Sequence, residues 1–133
     1  MIPPTPPAQP VRQVLIVEDD RKLAAVLARS LQRAGYGCAT AESGDQALWA
    51  VNARQPDALV LDVMIPHPSG VEVCRHLRNS GYDGPIVVIS ARSNADDRAA
   101  AQRAGADRFL AKPFALAELV ATLGSLMDAR ATS

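Results

Sequence analysis

From Val11 onward, short apolar runs alternate with longer stretches of helical periodicity. Val14-Leu15-Ile16-Val17 is continuously apolar, as expected of a strand covered on both faces. Leu23, Val26, Leu27 and Leu31 then recur at helical spacing, and Gly35 ends that helix. Gly37 to Ala41 is the next strand. Ser43 with Gln46 three residues on forms a capping-box pattern, opening a helix that carries Ala47, Leu48 and Val51. Pro56 closes it, and Ala58-Leu59-Val60-Leu61 gives a third strand. Ser69 with Glu72 repeats the capping pattern ahead of Val73, Cys74 and Leu77.

Gly81 to Pro85 is a turn-rich loop before the strand Ile86-Val87-Val88-Ile89. Asn94 caps an Ala-rich helix that ends near Gly105, Arg108 to Ala111 is a short strand, and Leu116, Leu119, Val120, Leu123 and Met127 form the apolar stripe of a last helix. Five strands, each followed by a helix, predict an α/β fold: a five-stranded parallel sheet with helices on both faces. In such folds chemistry gathers beyond the carboxyl ends of the strands.

Those ends carry a consistent polar set: Glu18-Asp19-Asp20 after the first strand, Asp62 after the third, Ser90 after the fourth and Lys112-Pro113 after the fifth. Carboxylates held this close push one another towards protonation unless a cation neutralises them. Oxygen-only ligands suit a hard divalent ion such as Mg²⁺, which uses one or two carboxylates and keeps several waters. Such an ion with a spare carboxylate, a hydroxyl and an ammonium suits the holding of a phosphoryl group, and Asp62 can serve as the nucleophile. Asp20 reads as the N-cap of the first helix rather than a ligand.

The segments VLIVEDD (14–20), LVLDVMIPHPSG (59–70), IVVISAR (86–92) and FLAKPF (109–114) resemble, in order and spacing, the four signature blocks of bacterial response-regulator receiver domains. The resemblance covers about residues 12–129. It implies the doubly wound, flavodoxin-like (βα)5 receiver fold of the chemotaxis-regulator kind, with strand order 2-1-3-4-5. It makes Asp62 the phosphoacceptor, forming an aspartyl phosphate within a two-component phosphorelay. Asp19 would bind Mg²⁺ (or Mn²⁺ in its place) directly and Glu18 through water, with Asp62 and the backbone carbonyl of Met64 as further ligands. Ser90, Ala91 and Lys112 would bind the phosphoryl group, and Phe109 stands at a switch position often held by Tyr. Met64 and Arg92 are secondary sites that tune phosphoryl loss, and a cis peptide is expected before Pro113.

The implied partners are a sensor histidine kinase or phosphotransfer protein and a downstream effector protein or domain, with phosphorylation-dependent homodimerisation through the fourth helix, fifth strand and fifth helix. The implied role is a switch, not an enzyme acting on a metabolite: the domain promotes only its own phosphorylation and dephosphorylation. The alternative is a pseudo-receiver acting only as a protein-interaction module. An aspartate-nucleophile phosphatase would need a second acid where Met64 stands. Nucleotide binding lacks both a GxGxxG and a P-loop sequence.

Composition changes this picture little. The chain has 133 residues, 48% hydrophobic and 21% charged, with a formal net charge of zero, so no overall field favours nucleic acid or an acidic membrane. Cys38 and Cys74 are expected as reduced thiols. Residues 1–10 contain five prolines and read as a flexible N-terminal tail, followed by a receiver domain over 11–129 and a C-terminal tail over 130–133. No apolar run approaches the roughly 18 residues that span a bilayer, and no secretory signal opens the chain, so a cytoplasmic location is expected. With no output module in the sequence, the chain is expected to stand alone or to be cut from a larger regulator, without binding nucleic acid itself. His67 and His76 are expected at the surface, and Trp49 as packing on the second helix. The fourth helix, poor in large apolar residues, is expected to be held loosely.

Overall fold

The computed structural model describes residues 11–131; the expected 1–10 tail and residues 132–133 lie outside the described residues. The apolar runs become β1 (Gln13–Val17), β2 (Gly37–Ala41), β3 (Ala58–Asp62), β4 (Ile86–Ser90) and β5 (Arg108–Ala111). Between and after them run α1 (Arg21–Arg33), α2 (Gly44–Ala53), α3 (Gly70–Asn79), α4 (Ala95–Ala104) and α5 (Leu116–Ala131). All pairings are parallel and the strand order is β2-β1-β3-β4-β5, as the resemblance implied. Every residue of β3 and β4 is buried, which accounts for their unbroken apolar sequence.

Alternate residues of each strand feed two cores. Val14, Ile16, Val60, Val87 and Ile89 pack with α1 and α5, through Leu27, Leu31, Leu119 and Leu123. Leu15, Val17, Leu59, Leu61 and Val88 pack with α2, α3 and α4, where α4 contributes only Ala101 and Ala104. No helix among the described residues is long and apolar enough to cross a membrane.

The helix starts follow the expected caps. Asp20 accepts from the backbone N–H of Lys22 and Leu23, Ser43 from Gln46, Ser69 from Glu72 and Asn94 from Asp97. The capping box at α2 is shifted by one residue: the Gln46 side chain accepts from the N–H of Glu42, not of Ser43. Gly35 and Gly105 take positive φ after α1 and α4, a conformation that costs a glycine nothing. Both cysteines are free thiols, and His67 and His76 are exposed.

Three expectations need correction. Trp49 does not pack: it is 75% exposed, because Ala47 and Val51 turn towards the sheet and a residue two positions from Ala47 lies on the opposite side of the helix. Val26 is likewise outside the core, and Ala24 takes its place beside Leu27 and Leu31. The last helix also runs through Ala131, past the expected tail boundary at Arg130.

Arg78, at the end of α3, was not singled out by its sequence context. Its guanidinium and Nε donate to the carbonyls of Gly105 (3.0 Å), Tyr82 (2.9 Å) and Gly84 (2.7 Å) and to Asp107 Oδ2 (3.0 Å). Asp107 in turn accepts from the N–H of Ile86, at the start of β4. This cluster pins the C-terminal end of α4 to α3 and to the base of the sheet. Arg78→Met keeps the stem but leaves partly buried acceptors unpaired, so unfolding in urea should show a loss of about 2–3 kcal/mol with an unchanged m-value. A loss below about 0.5 kcal/mol, the range of ordinary surface changes, would show the cluster to be incidental.

Candidate functional site

The parallel register brings the strand ends to one edge. Val17 pairs with Leu61, Asp62 with Ile89, and Ser90 with Ala111, so Glu18, Asp62, Ser90 and Lys112 all emerge at the carboxyl end of the sheet. Gly70 makes room there. A Cβ on it would collide with the Asp62 carbonyl oxygen and lie 2.7 Å from Val63 Cα, so the start of α3 rests directly on the backbone that carries Asp62. The Gly70 N–H donates to the Val63 carbonyl at 3.1 Å and the Val63 N–H to the Ile89 carbonyl at 3.1 Å, which fixes the turn after β3 to its neighbour strand.

Lys112 is the centre of the cluster. Its Nζ donates to Asp62 Oδ2 and to Glu18 Oε1, both at 2.7 Å. The two carboxylates are almost wholly buried, with Asp62 at 2% and Glu18 at 1% exposure. Asp62 Oδ1 accepts from the N–H of Met64 at 2.8 Å, and Glu18 Oε2 from the N–H of Asp20 at 3.3 Å. Asp19, exposed, completes an acidic group whose three ligand oxygens lie within 4.8 Å of one another.

The electrostatics follow from crowding. Burial pushes the Glu18 carboxyl up to about 7, the neighbouring Asp62 adds to the rise, and Lys112 works against it. Burial also works against the Lys112 ammonium, but its bonds to Asp62 and Glu18 outweigh that and hold its pKa above the ordinary lysine value. A single ammonium therefore serves two buried acids and leaves the group short of positive charge. An all-oxygen donor set in that condition fits a hard divalent cation.

The other predicted residues divide into those at this edge and one set apart. Ser90 is fully buried; its Oγ accepts from the N–H of Arg92 at 3.0 Å, and its carbonyl from the N–H of Lys112 at 2.8 Å. Ala91 is exposed and Met64 is 51% exposed, so both leave the rim of the site open. The Lys112–Pro113 bond is cis, as expected, and His67–Pro68 is cis as well. The Arg92 side chain points to α4, where it meets Asp97 at 3.5 Å. Phe109 is not part of the acidic group: it is half-buried on the α4 face of the sheet, with Arg98 over its ring. Sequence reading missed both the Glu18–Lys112 pair and Arg98. Lysine scarcity was the one signal for the first, since Lys112 and Lys22 are the two lysines of an Arg-rich chain, whereas nothing local marks Arg98 among the arginines of α4 and its flanks.

The response regulator receiver domain family matches residues 14–124 of the chain, a span that includes Glu18, Asp19, Asp62, Ser90 and Lys112. The response regulator MprA of Mycolicibacterium vanbaalenii is 48% identical over 118 residues, which is 89% of this chain and 51% of that protein. The chain spans about half the length of the curated relatives it matches. Among solved structures, the receiver domain of the Francisella response regulator 1452 has a TM-score of 0.86 at 27% identity, covering 90% of this chain and 98% of that one. The BeF3-activated N-terminal receiver domain of Klebsiella pneumoniae RstA has a TM-score of 0.82 at 27% identity, covering 87% and 98% respectively. With the fold, the strand-end acids and the matched span in agreement, the chain belongs to the response regulator receiver domain family of two-component signalling systems.

Proposed function

We propose that the chain is a Mg²⁺-dependent phosphoacceptor switch in which Asp62 receives a phosphoryl group from the phosphohistidine of a sensor kinase or phosphotransfer protein. The observation that carries this reading is the buried Asp62 carboxylate at a strand end, held at 2.7 Å by Lys112 beside two further acids. An Asp62 carboxylate oxygen attacks phosphorus, the P–N bond of the donor breaks, and its electron pair returns to the imidazole. Lys112 orients the carboxylate and draws in the phosphoryl oxygens, while the Ser90 hydroxyl, on the neighbouring strand, donates to one of them. Met64 N–H fixes the other Asp62 oxygen.

Glu18, Asp19, Asp62 and the Met64 carbonyl would hold the divalent ion, Mg²⁺ or Mn²⁺, whose charge offsets that of the incoming phosphoryl group. The domain thus promotes its own phosphorylation and dephosphorylation and is not an enzyme acting on a metabolite. We place it in the cytoplasm, with an effector protein or domain reading the phosphorylated state through α4, β5 and α5, and with homodimerisation through that surface as one output. No direct nucleic-acid or membrane binding is assigned to residues 11–129. The activated state reported for the RstA receiver supports the reading by analogy.

Incubation with a small phosphodonor and Mg²⁺, followed by intact-mass measurement, should show the gain of one phosphoryl group. The gain should vanish with EDTA and in Asp62→Asn, and fall by at least about tenfold in Lys112→Met, which removes a charge-assisted bond of about 1.5–3 kcal/mol. An equal gain in Asp62→Asn would place the acceptor elsewhere. Mg²⁺ alone should stabilise the unphosphorylated chain against heat. At about ten times its Kd the linkage amounts to about 1.4 kcal/mol, or about 4–6 °C for a domain of this size. Asp19→Asn should lose most of that shift, and a wild-type melting temperature indifferent to millimolar Mg²⁺ would contradict the metal assignment.

A further inference from the structure

The helix α4 is anchored unevenly. Its C-terminal end is tied down: Arg78 Nε donates to the Gly105 carbonyl and Cys74 Sγ to that of Ala104. Its N-terminal half contains no buried residue, since the two buried residues of the helix, Ala101 and Ala104, lie in the C-terminal half. What holds that half is a short chain of polar contacts. The Ser90 Oγ accepts from Arg92 N–H at 3.0 Å, and the Arg92 guanidinium meets Asp97 at 3.5 Å. At 3.5 Å this ion pair is a loose one, and the second oxygen of Asp97, Oδ2, is buried with no hydrogen-bond partner among the described residues.

One residue further on, Arg98 makes the closing contact. Its Nε donates to the Ser93 carbonyl at 3.1 Å, and its guanidinium carbon lies 4.8 Å from the centroid of the Phe109 ring. Phe109 has no hydroxyl, so its position depends on packing and on whatever meets its face. It lines a groove of about 280 Å³ between α4 and β5 with Arg98, Ala101 and Gln102. A guanidinium on an aromatic face is attracted by the ring quadrupole, modestly so at an exposed position. Contacts link the Ser90 hydroxyl to Arg92 and Arg92 to Asp97, and Arg98, the next residue along the helix, meets the Phe109 ring and the Ser93 carbonyl.

We propose that Arg98 is a positioning residue for the switch: its guanidinium clasps the Phe109 ring to α4 and so holds the loop from Ser90 to Asn94 in its unphosphorylated arrangement. The inference rests on the reading of Asp62 as phosphoacceptor. When the Ser90 hydroxyl is drawn to a phosphoryl oxygen on Asp62, Arg92 follows its hydrogen bond, Asp97 follows Arg92, and Arg98 leaves the ring. By linkage, a contact that favours one state resists the event that favours the other, and its removal assists that event to the same degree.

The full chain has two phenylalanines, Phe109 and Phe114, so fluorophenylalanine labelling gives two fluorine NMR signals, assigned with Phe114→Leu. Arg98→Met should move the Phe109 signal of the unphosphorylated chain towards the position that the wild type takes with beryllofluoride and Mg²⁺. Arg98→Lys, which keeps a cation, should leave it near the wild type. Phosphorylation by a small donor should be about two- to five-fold faster in Arg98→Met, the range expected of an exposed cation–π contact, and near wild type in Arg98→Lys. Phe109→Leu should give the same acceleration, and the double variant no more than either single one.

Wild-type rates in Arg98→Met, or additive effects in the double variant, overturn the clasp while leaving Asp62 as acceptor. Failure of the wild type to gain a phosphoryl group overturns the acceptor reading and the clasp with it. If Arg98→Met does not fold, as judged by its urea transition, Phe109→Leu and Arg98→Lys decide alone. Acceleration in the first with none in the second supports the clasp, and any other pattern overturns it.

Discussion

The bond pair from Lys112 Nζ to Asp62 and Glu18 is the constraint on which the rest of this edge depends. Two carboxylates at 2% exposure or less do not persist as anions without a partner, because the cost of desolvating them exceeds what a lone hydrogen bond returns. The parallel sheet creates the difficulty by ending β1 and β3 side by side, and it supplies the remedy by ending β5 within reach. One ammonium for two acids is still a deficit, and burial, with the neighbouring Asp62 adding to it, raises the Glu18 carboxyl above its ordinary value. On the proposed reading, a centre held short of positive charge is prepared for a divalent cation and, with it, for a phosphoryl group.

The two faces of the sheet serve that centre differently. On one, α1 and α5 bury leucines against β1, β3 and β4, and nothing about that packing invites movement. On the other, α3 is clamped by Arg78 and by the close approach of Gly70 to Asp62, while α4 is tied at its C-terminal end and lightly held at the other. The rigid elements position the acids, and the loosely held one lies where β4 and β5 leave the site. Stability and responsiveness are thus separated in space.

Much of this was legible in the sequence because it is governed by local rules. Strand burial shows as unbroken apolar runs in β1, β3 and β4, the helix starts at Asp20, Ser43, Ser69 and Asn94 show as caps, and strict alternation fixes the parallel sheet. The strand-end acids followed, since topology alone places them together. What escaped depends on where long side chains reach. Arg78 finds partners up to 29 residues away and Lys112 bridges to Glu18 across 94, distances at which periodicity carries no information. Trp49 and Val26 were misplaced for a related reason: an apolar residue was assumed to face inward, whereas the helical phase set by Ala47 and by Leu27 turns them out.

Charge explains why the site would report its own state. On the proposed reading, phosphorylation replaces the single negative charge of Asp62 with a more highly charged group bearing several acceptor oxygens. Lys112, already shared between two acids, is drawn further towards Asp62, and the Ser90 hydroxyl, which accepts from Arg92 N–H, acquires a strong acceptor of its own. Ser90 ends β4 and Lys112 directly follows β5, and the two are joined by the bond from Lys112 N–H to the Ser90 carbonyl at 2.8 Å, so on this reading a pull on one is felt by the other. Ser90 leads into the loop that α4 ends, and Lys112 directly follows the strand that carries Phe109. On that reading a local change in charge at Asp62 acts on both walls of the groove between α4 and β5, where α4 gives the core only Ala101 and Ala104.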